Sequence, residues 1–161
     1  MKNLFKILII VSSLITVIFC NQKIEYYETG EIKEVTSFNE VRNKLEIVKV
    51  KRYYRDGQLK EEENYKNQKL DGPYFSYCEN GNLYETGFYI NGSMNGEWNF
   101  FECDGSKISK SYYKNDEQNG RHTVYHENGN IKRKGTIRGG EVNGEWIYYT
   151  ENGKILTKGY W

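Results

Sequence analysis

The segment NGEWNFFECDG at residues 95–105 decides the fold, because residues 143–153 repeat it as NGEWIYYTENG. Both segments open on Asn-Gly-Glu-Trp, continue with an aromatic pair, and close on an acidic or amide residue before Gly. They begin 48 residues apart. Self-similarity at a fixed distance is typical of repeat architectures, so the period is the first quantity to establish.

Two interlocked series of glycines define that period. After a first step of 27 residues, the first series advances by 24 each time: Gly30, Gly57, Gly81, Gly105, Gly129 and Gly153. The second series also steps by 24 and follows its partner by 15 residues: Gly72, Gly96, Gly120 and Gly144. The sequence therefore predicts 24-residue repeats.

Other positions recur relative to the first glycine series. Four residues before it every unit has an aromatic residue: Tyr26, Tyr53, Tyr77, Phe101, Tyr125 and Tyr149. Two residues after it stand Ile32, Leu59, Leu83, Ile131 and Ile155, with Lys107 as the exception. Six residues after it stand Gly87, Gly135 and Gly159, and eight after it stand Phe38, Tyr65, Tyr89, Tyr113, Ile137 and Trp161. Each unit reads as a strand, a turn, a second strand and another turn.

The turns and faces follow from these positions. Pairs such as Asn80-Gly81 accept positive φ and predict tight hairpin turns, whereas Asn95-Gly96, Asn119-Gly120 and Asn143-Gly144 predict somewhat longer loops at the other end. Positions +2, +6 and +8 share parity, so we expect their side chains on one face. A glycine at +6 would leave a slot for an aromatic ring from a neighbouring strand.

The predicted fold is all-β: an antiparallel hairpin meander forming an elongated, twisted, mostly single-layer sheet after an N-terminal signal helix. Aromatic residues make up 16% of the chain, which favours strands and argues against disorder. We divide the chain into a signal peptide at residues 1–19, an irregular capping repeat at 20–52, and regular repeats at 53–161. Basic and acidic residues number 23 and 22, so no charge excess indicates a nucleic-acid partner.

The first twenty residues resemble an export signal. Lys2 and Lys6 precede an uncharged run at residues 7–19, which is shorter than the roughly 20 residues of a transmembrane helix. Cys20 follows directly and resembles the lipidated cysteine of bacterial lipoproteins, although Phe19 stands where that pattern prefers a small residue. Lipidation at Cys20, ordinary secretion and a retained N-terminal anchor remain alternatives.

From about Tyr26 to Trp161 the units resemble the bacterial variant of the MORN repeat. That variant runs Tyr-x-x-(Asn/Asp)-Gly-x-(Leu/Ile), then Gly-x-Tyr, then (Asp/Asn)-Gly-x-Trp, and the fourth unit departs from it at Lys107 and Ser111. The resemblance implies β-hairpin arrays used as binding or scaffolding surfaces. Some bacterial members are described as antitoxin components of toxin–antitoxin pairs, and proteins with the eukaryotic repeat have been linked to membrane attachment.

Two residue pairs are of types that can bind a metal ion or form a disulfide. His122 and His126 lie four strand positions, about 13 Å, apart, too far to share a metal ion, so we predict surface strand residues. Cys78 lies three residues before Gly81 and Cys103 two residues before Gly105, so we expect the two side chains on opposite faces of the sheet. Equivalent strands are about 9.6 Å apart, so we predict free thiols and no disulfide.

An aromatic ladder is the remaining candidate site. Tyr74, Trp98 and Trp146 share position −7, with Phe100 and Tyr148 two residues on. Exposed, this ladder would form a candidate binding face; the alternative, which we favour, is packing between adjacent strands.

We therefore predict a non-catalytic, exported or envelope-anchored repeat protein that binds a protein partner or serves as a scaffold. We expect no cofactor, metal, nucleic acid or small-molecule substrate, and membrane association through the lipid at Cys20. The alternatives are an antitoxin-like protein that neutralises a cognate toxin, and a binder of lipid or glycan surfaces.

Overall fold

The computed structural model describes residues 7–11, 14–19 and 21–161, and these form one antiparallel sheet. Its strands are β1 (Ile7–Val11), β2 (Leu14–Phe19), β3 (Gln22–Tyr26), β4 (Ile32–Val41), β5 (Lys44–Tyr53), β6 (Leu59–Lys66), β7 (Lys69–Leu70), β8 (Gly72–Tyr77), β9 (Leu83–Ile90), β10 (Ser93–Phe101), β11 (Lys107–Lys114), β12 (Glu117–Tyr125), β13 (Ile131–Arg138), β14 (Glu141–Tyr149) and β15 (Ile155–Tyr160). Each strand pairs with its neighbours in sequence, except that the short β7 pairs only with β6 and β8 takes the next place. The predicted all-β hairpin meander is confirmed.

The predicted signal helix falls on residues 1–19, of which the described parts are strands. β1 and β2 pair with each other, and β2 continues onto β3. The physical reason is composition, since Ile, Val and Thr dominate both strands and favour extended backbone. The rest of this segment and Cys20 lie outside the described residues. Elsewhere in the described chain, no helix has the length and apolar character needed to cross a bilayer.

The turns are distributed in the opposite way to the prediction. Two-residue turns in which both residues have positive φ lie at five places in the described chain: Arg42-Asn43, Asn67-Gln68, Asn91-Gly92, Asn115-Asp116 and Gly139-Gly140. Asn80-Gly81 instead belongs to a longer loop, closed by hydrogen bonds between Cys78 and Asn82 and between Gly81 and Cys78. The predicted loops at Asn95-Gly96, Asn119-Gly120 and Asn143-Gly144 are wrong, because all three pairs lie inside strands. Gly96, for example, lies at a register irregularity of β10 and uses its positive φ there.

A β-bulge recurs where each repeat leaves its long loop. The aromatic residue at −4 pairs directly with the residue at +2, as in Tyr77 with Leu83 and Tyr125 with Ile131, and the register shifts by one residue beside each pair. The extra residue changes which face the +2 side chain occupies. Ile131 consequently lines a groove with Lys110 and Lys134 on the face opposite the Trp146 side chain, so the prediction of one shared face is wrong for Ile131.

The core is one row of residues that crosses the sheet on a single face, here named the ring face. Positions +6 and −7 of successive units alternate along it, in the order Thr36, Val50, Glu63, Tyr74, Gly87, Trp98, Ser111, His122, Gly135, Trp146 and Gly159. Most of the buried side chains in the described chain belong to this row. The sheet is therefore stabilised along a line, with the opposite face, here named the reverse face, left uncovered.

Glycine slots in this row hold the tryptophan rings, as predicted. A Cβ built on Gly87 would lie 2.1 Å from the Trp98 ring, and one on Gly135 would lie 2.3 Å from the Trp146 ring. Neither contact could exist with a side chain present. Trp98 is only 1% exposed. Its ring packs against that of Tyr89, the residue at position +8, with 5.1 Å between the ring centroids.

Candidate functional site

The candidate binding face predicted from the aromatic ladder is largely closed. Tyr74, Trp98 and Trp146 are buried in the row of the ring face, and Phe100 and Tyr148 are half-buried beside it. These three rings pack against residues of adjacent strands. These rings hold adjacent repeats together and leave little of their own surface for a partner.

The slot at Ser111 and His122 replaces the Gly–Trp pair by a polar one. Ser111 Oγ lies 2.8 Å from His122 Nδ1, and the Gln118 side-chain amide donates to both, at 2.8 and 2.9 Å. An amide nitrogen only donates, so Nδ1 is the accepting nitrogen. Burial, followed by the charge of Arg133, lowers the pKa of His122, which favours this neutral form.

The Ser111–His122 distance is that of a catalytic nucleophile and its general base, but the Ser111 hydroxyl is not accessible to a substrate. Ser111 is 1% exposed and is covered by the row, so a substrate carbonyl cannot reach its hydroxyl in this structure. His122 packs against Trp146 with ring centroids 5.8 Å apart. The prediction of a surface residue is wrong for His122, because its place in the tryptophan column puts it on the packed face.

Polar side chains also enter the row near β5 and β6. Glu63 is buried and pairs with Arg52 at 2.8 Å, while Tyr74 donates to Glu61 at 2.7 Å. Burial raises the pKa of Glu85, which lies across β8 from Glu61. The repeat pattern does not predict this network, since Arg52 becomes the partner of Glu34, Glu61 and Glu63 only through strand pairing.

The long loops of successive repeats are joined by a ladder of contacts from position −3. Tyr27 Oη donates to the carbonyl of Tyr53, and Tyr54 Oη donates to the carbonyl of Tyr77, both at 2.7 Å. His126 Nε2 lies 3.0 Å from the carbonyl of Tyr149 and must donate to it. His126 is half-buried in this ladder.

Cys78 occupies the same position of the ladder and bonds covalently to Cys103, which makes the prediction of free thiols wrong. Both cysteines lie just beyond a strand end, where alternation of faces no longer applies. The loops also stack directly, with Asn82 Nδ2 2.8 Å from the carbonyl of Cys103. The two Cα atoms are 5.6 Å apart, well below the strand-to-strand estimate.

The reverse face carries exposed apolar side chains in the same region. Tyr84, Phe88 and Ile90 lie along β9, with Thr86 between the first two, and each is more than 40% exposed. Tyr84 and Tyr77 also line a groove of about 510 Å³ beside the disulfide. Three exposed apolar residues and an aromatic groove, on a face that no second layer covers, form a candidate docking surface.

The described residues contain no group of three or more His, Cys, Asp or Glu side chains arranged to hold a metal ion. His122 and His126 belong to the separate networks described above.

Comparison with protein families gives one match. The family described as MORN repeat variant matches residues 48–67, 70–91, 118–138 and 142–161, together more than half of the chain. The unmatched segment between residues 91 and 118 contains Lys107 and Ser111, the two departures from the repeat pattern. No curated protein matches the chain.

Three solved structures are similar at low identity. Accessory secretory protein 1,2 and 3 of Streptococcus pneumoniae is 9% identical with a TM-score of 0.33, over 76% of this chain and 22% of that one. A GtfA/B complex bound to UDP and GlcNAc is 13% identical with a TM-score of 0.30, over 84% and 24%. A porin-like protein of Bacteroides uniformis is 8% identical with a TM-score of 0.20, over 95% and 86%. This chain thus spans less than a quarter of the first two.

The disulfide between Cys78 and Cys103 yields the first prediction. Replacing both residues by Ala should lower the free energy of unfolding by about 3 kcal/mol, because a cross-link across 25 residues restricts the unfolded chain. Denaturant melts of the wild type with and without dithiothreitol should differ by a similar amount, whereas the double variant should not respond. Alkylation of both thiols without reduction, with melts insensitive to dithiothreitol, would contradict the assignment.

Proposed function

Because this chain belongs to the MORN repeat variant family, we propose that it is a non-catalytic binding module whose reverse face docks a protein partner. Strands β8 to β10 supply the contact, with Tyr84, Phe88 and Ile90 as its exposed apolar side chains. Repeat arrays present such continuous surfaces, and tyrosine and phenylalanine are enriched at protein interfaces.

The observation that carries the proposal is the exposure of these side chains on an uncovered face. Contiguous exposed apolar surface is rare on monomeric proteins and marks interaction sites. The adjacent groove combines the rings of Tyr54, Tyr77 and Tyr84 with the polar side chains of Glu79 and Asn80. This arrangement suits an apolar or aromatic side chain of the partner, surrounded by polar contacts.

The surface is tested with the variant Y84S/F88S and a matched control, L45S/V142S. Leu45 and Val142 are also exposed apolar residues but lie outside the surface, so the control removes comparable apolar area. After crosslinking in cells and affinity purification, Y84S/F88S should lose a protein that both wild type and control retain. Equal retention by the two variants, or no retained protein with the wild type, would refute the proposal.

The proposal extends to an exported protein anchored in the cell envelope through Cys20. The basic and apolar segment before Cys20 supports it, and so does the disulfide, because such bonds persist in oxidising compartments. Cleavage before Cys20 would remove β1 and β2 and leave β3 as the edge strand. The antitoxin alternative stays a prediction from the resemblance.

Membrane fractionation of the variant Cys20→Ala tests the anchor. The variant should move from the membrane fraction to the soluble fraction, because its attachment depends on the thiol of Cys20. Unchanged fractionation would rule out lipidation as the anchor, while leaving the docking surface on β8 to β10 unaffected.

A further inference from the structure

A second groove crosses the reverse face over strands β11 to β14, away from the apolar surface. Its first part, about 400 Å³, is lined by Lys110, Tyr112, Arg121, Thr123, Tyr125, Ile131 and Lys134. A continuation of about 210 Å³ shares Arg121, Thr123 and Lys134 and extends to Thr136, Glu145 and Ile147. Three cationic side chains and two tyrosines therefore share one concave surface.

Strand register brings the cations together. Thr123 of β12 pairs with Lys110 of β11 on one side and with Lys134 of β13 on the other. Neighbouring strands are about 4.8 Å apart, so the two lysines flank Thr123 at roughly 10 Å between Cα atoms. Arg121 precedes Thr123 by two residues and faces the same way.

The positive charge of this groove is only partly neutralised. Lys110 pairs with Glu97 at 3.2 Å, and at the far end Glu145 pairs with Lys158 at 3.3 Å. Within residues 21–161, neither Arg121 nor Lys134 has a carboxylate within 4.0 Å. Two exposed cations thus remain available in a groove, where partial exclusion of water strengthens their attraction for an anion.

Aromatic and hydroxyl groups accompany these cations. The Lys134 ammonium lies 5.3 Å from the centre of the Tyr149 ring, and the Lys107 ammonium lies 5.5 Å from the centre of the Tyr125 ring. The Tyr112 hydroxyl donates to Glu97 at 2.6 Å, which fixes that side chain at the rim of the groove. The groove and its rim therefore offer tyrosine rings, hydroxyls and cations together.

We infer that this groove binds an acidic polysaccharide, with Arg121 and Lys134 pairing to its carboxylate or phosphate groups. Sugars present apolar C–H faces that pack on aromatic rings and hydroxyls that hydrogen-bond to Thr and Tyr. An anionic lipid surface fits less well, because the apolar residues of the groove, Ile131 and Ile147, are half-buried in its lining, whereas membrane insertion needs apolar side chains that project beside the cations. The inference goes beyond the proposed protein docking and uses different strands.

The test is equilibrium binding of the full chain to polygalacturonate, with neutral dextran as the uncharged comparison. R121Q/K134Q should weaken binding to polygalacturonate by about tenfold or more, since two charge-assisted contacts are lost. The matched control K33Q/K154Q removes the same charge from exposed residues outside the groove and should bind like the wild type. Binding by the wild type should also weaken as salt rises.

Each other outcome overturns the inference. Equal losses in both variants would show general charge attraction, and equal binding of dextran would remove the role of the acidic groups. Tighter binding to phosphatidylglycerol vesicles or to oligo(dT), dependent on Arg121 and Lys134, would assign the groove to a lipid or a nucleic acid. No binding of polygalacturonate by the wild type would refute it even if R121Q/K134Q failed to fold.

Discussion

The contact of a tryptophan ring with a glycine that has no side chain is the constraint on which this sheet depends. A single-layer sheet has no second layer to bury its apolar groups, so burial has to occur between adjacent strands of the same face. Trp98 over Gly87 and Trp146 over Gly135 achieve this by placing a whole indole against bare backbone. Loss of such a buried ring typically costs about 3–5 kcal/mol.

Because of this constraint, the ring face and the loops stabilise the sheet, and the reverse face remains available for binding. The ring face is occupied with holding the repeats together, and the long loops reinforce it through the contacts at position −3, including the disulfide of Cys78. The reverse face lies opposite this packed row. It carries apolar residues such as Phe88 on β9 and cations such as Arg121 on β12, and both proposed binding surfaces lie there.

The sequence predicted what depends on periodicity and missed what depends on register. The 24-residue period was sufficient to predict hairpins and the ring slot at Gly135. It misplaced the tight turns because Gly96 has the same Asn-Gly signature as a turn but serves a strand irregularity. The bulge beside Ile131 reversed a face, and direct stacking of loops brought Cys78 to Cys103. The reverse-face groove could not be predicted, since only strand pairing places Lys110 and Lys134 around Thr123.

The central claim is that each tryptophan ring of the row needs a glycine beneath it. A double-mutant cycle at Ser111 and His122, which occupy the positions of such a Gly–Trp pair, tests this claim most directly. His122→Trp alone should lower the free energy of unfolding by about 1–3 kcal/mol, because the larger ring meets the Cβ of Ser111. Ser111→Gly alone should cost about 1–2 kcal/mol through lost hydrogen bonds and a glycine within a strand. The combined variant S111G/H122W restores the Gly–Trp pair and should return to within about 1 kcal/mol of the wild type in denaturant melts. Losses that simply add would contradict the account.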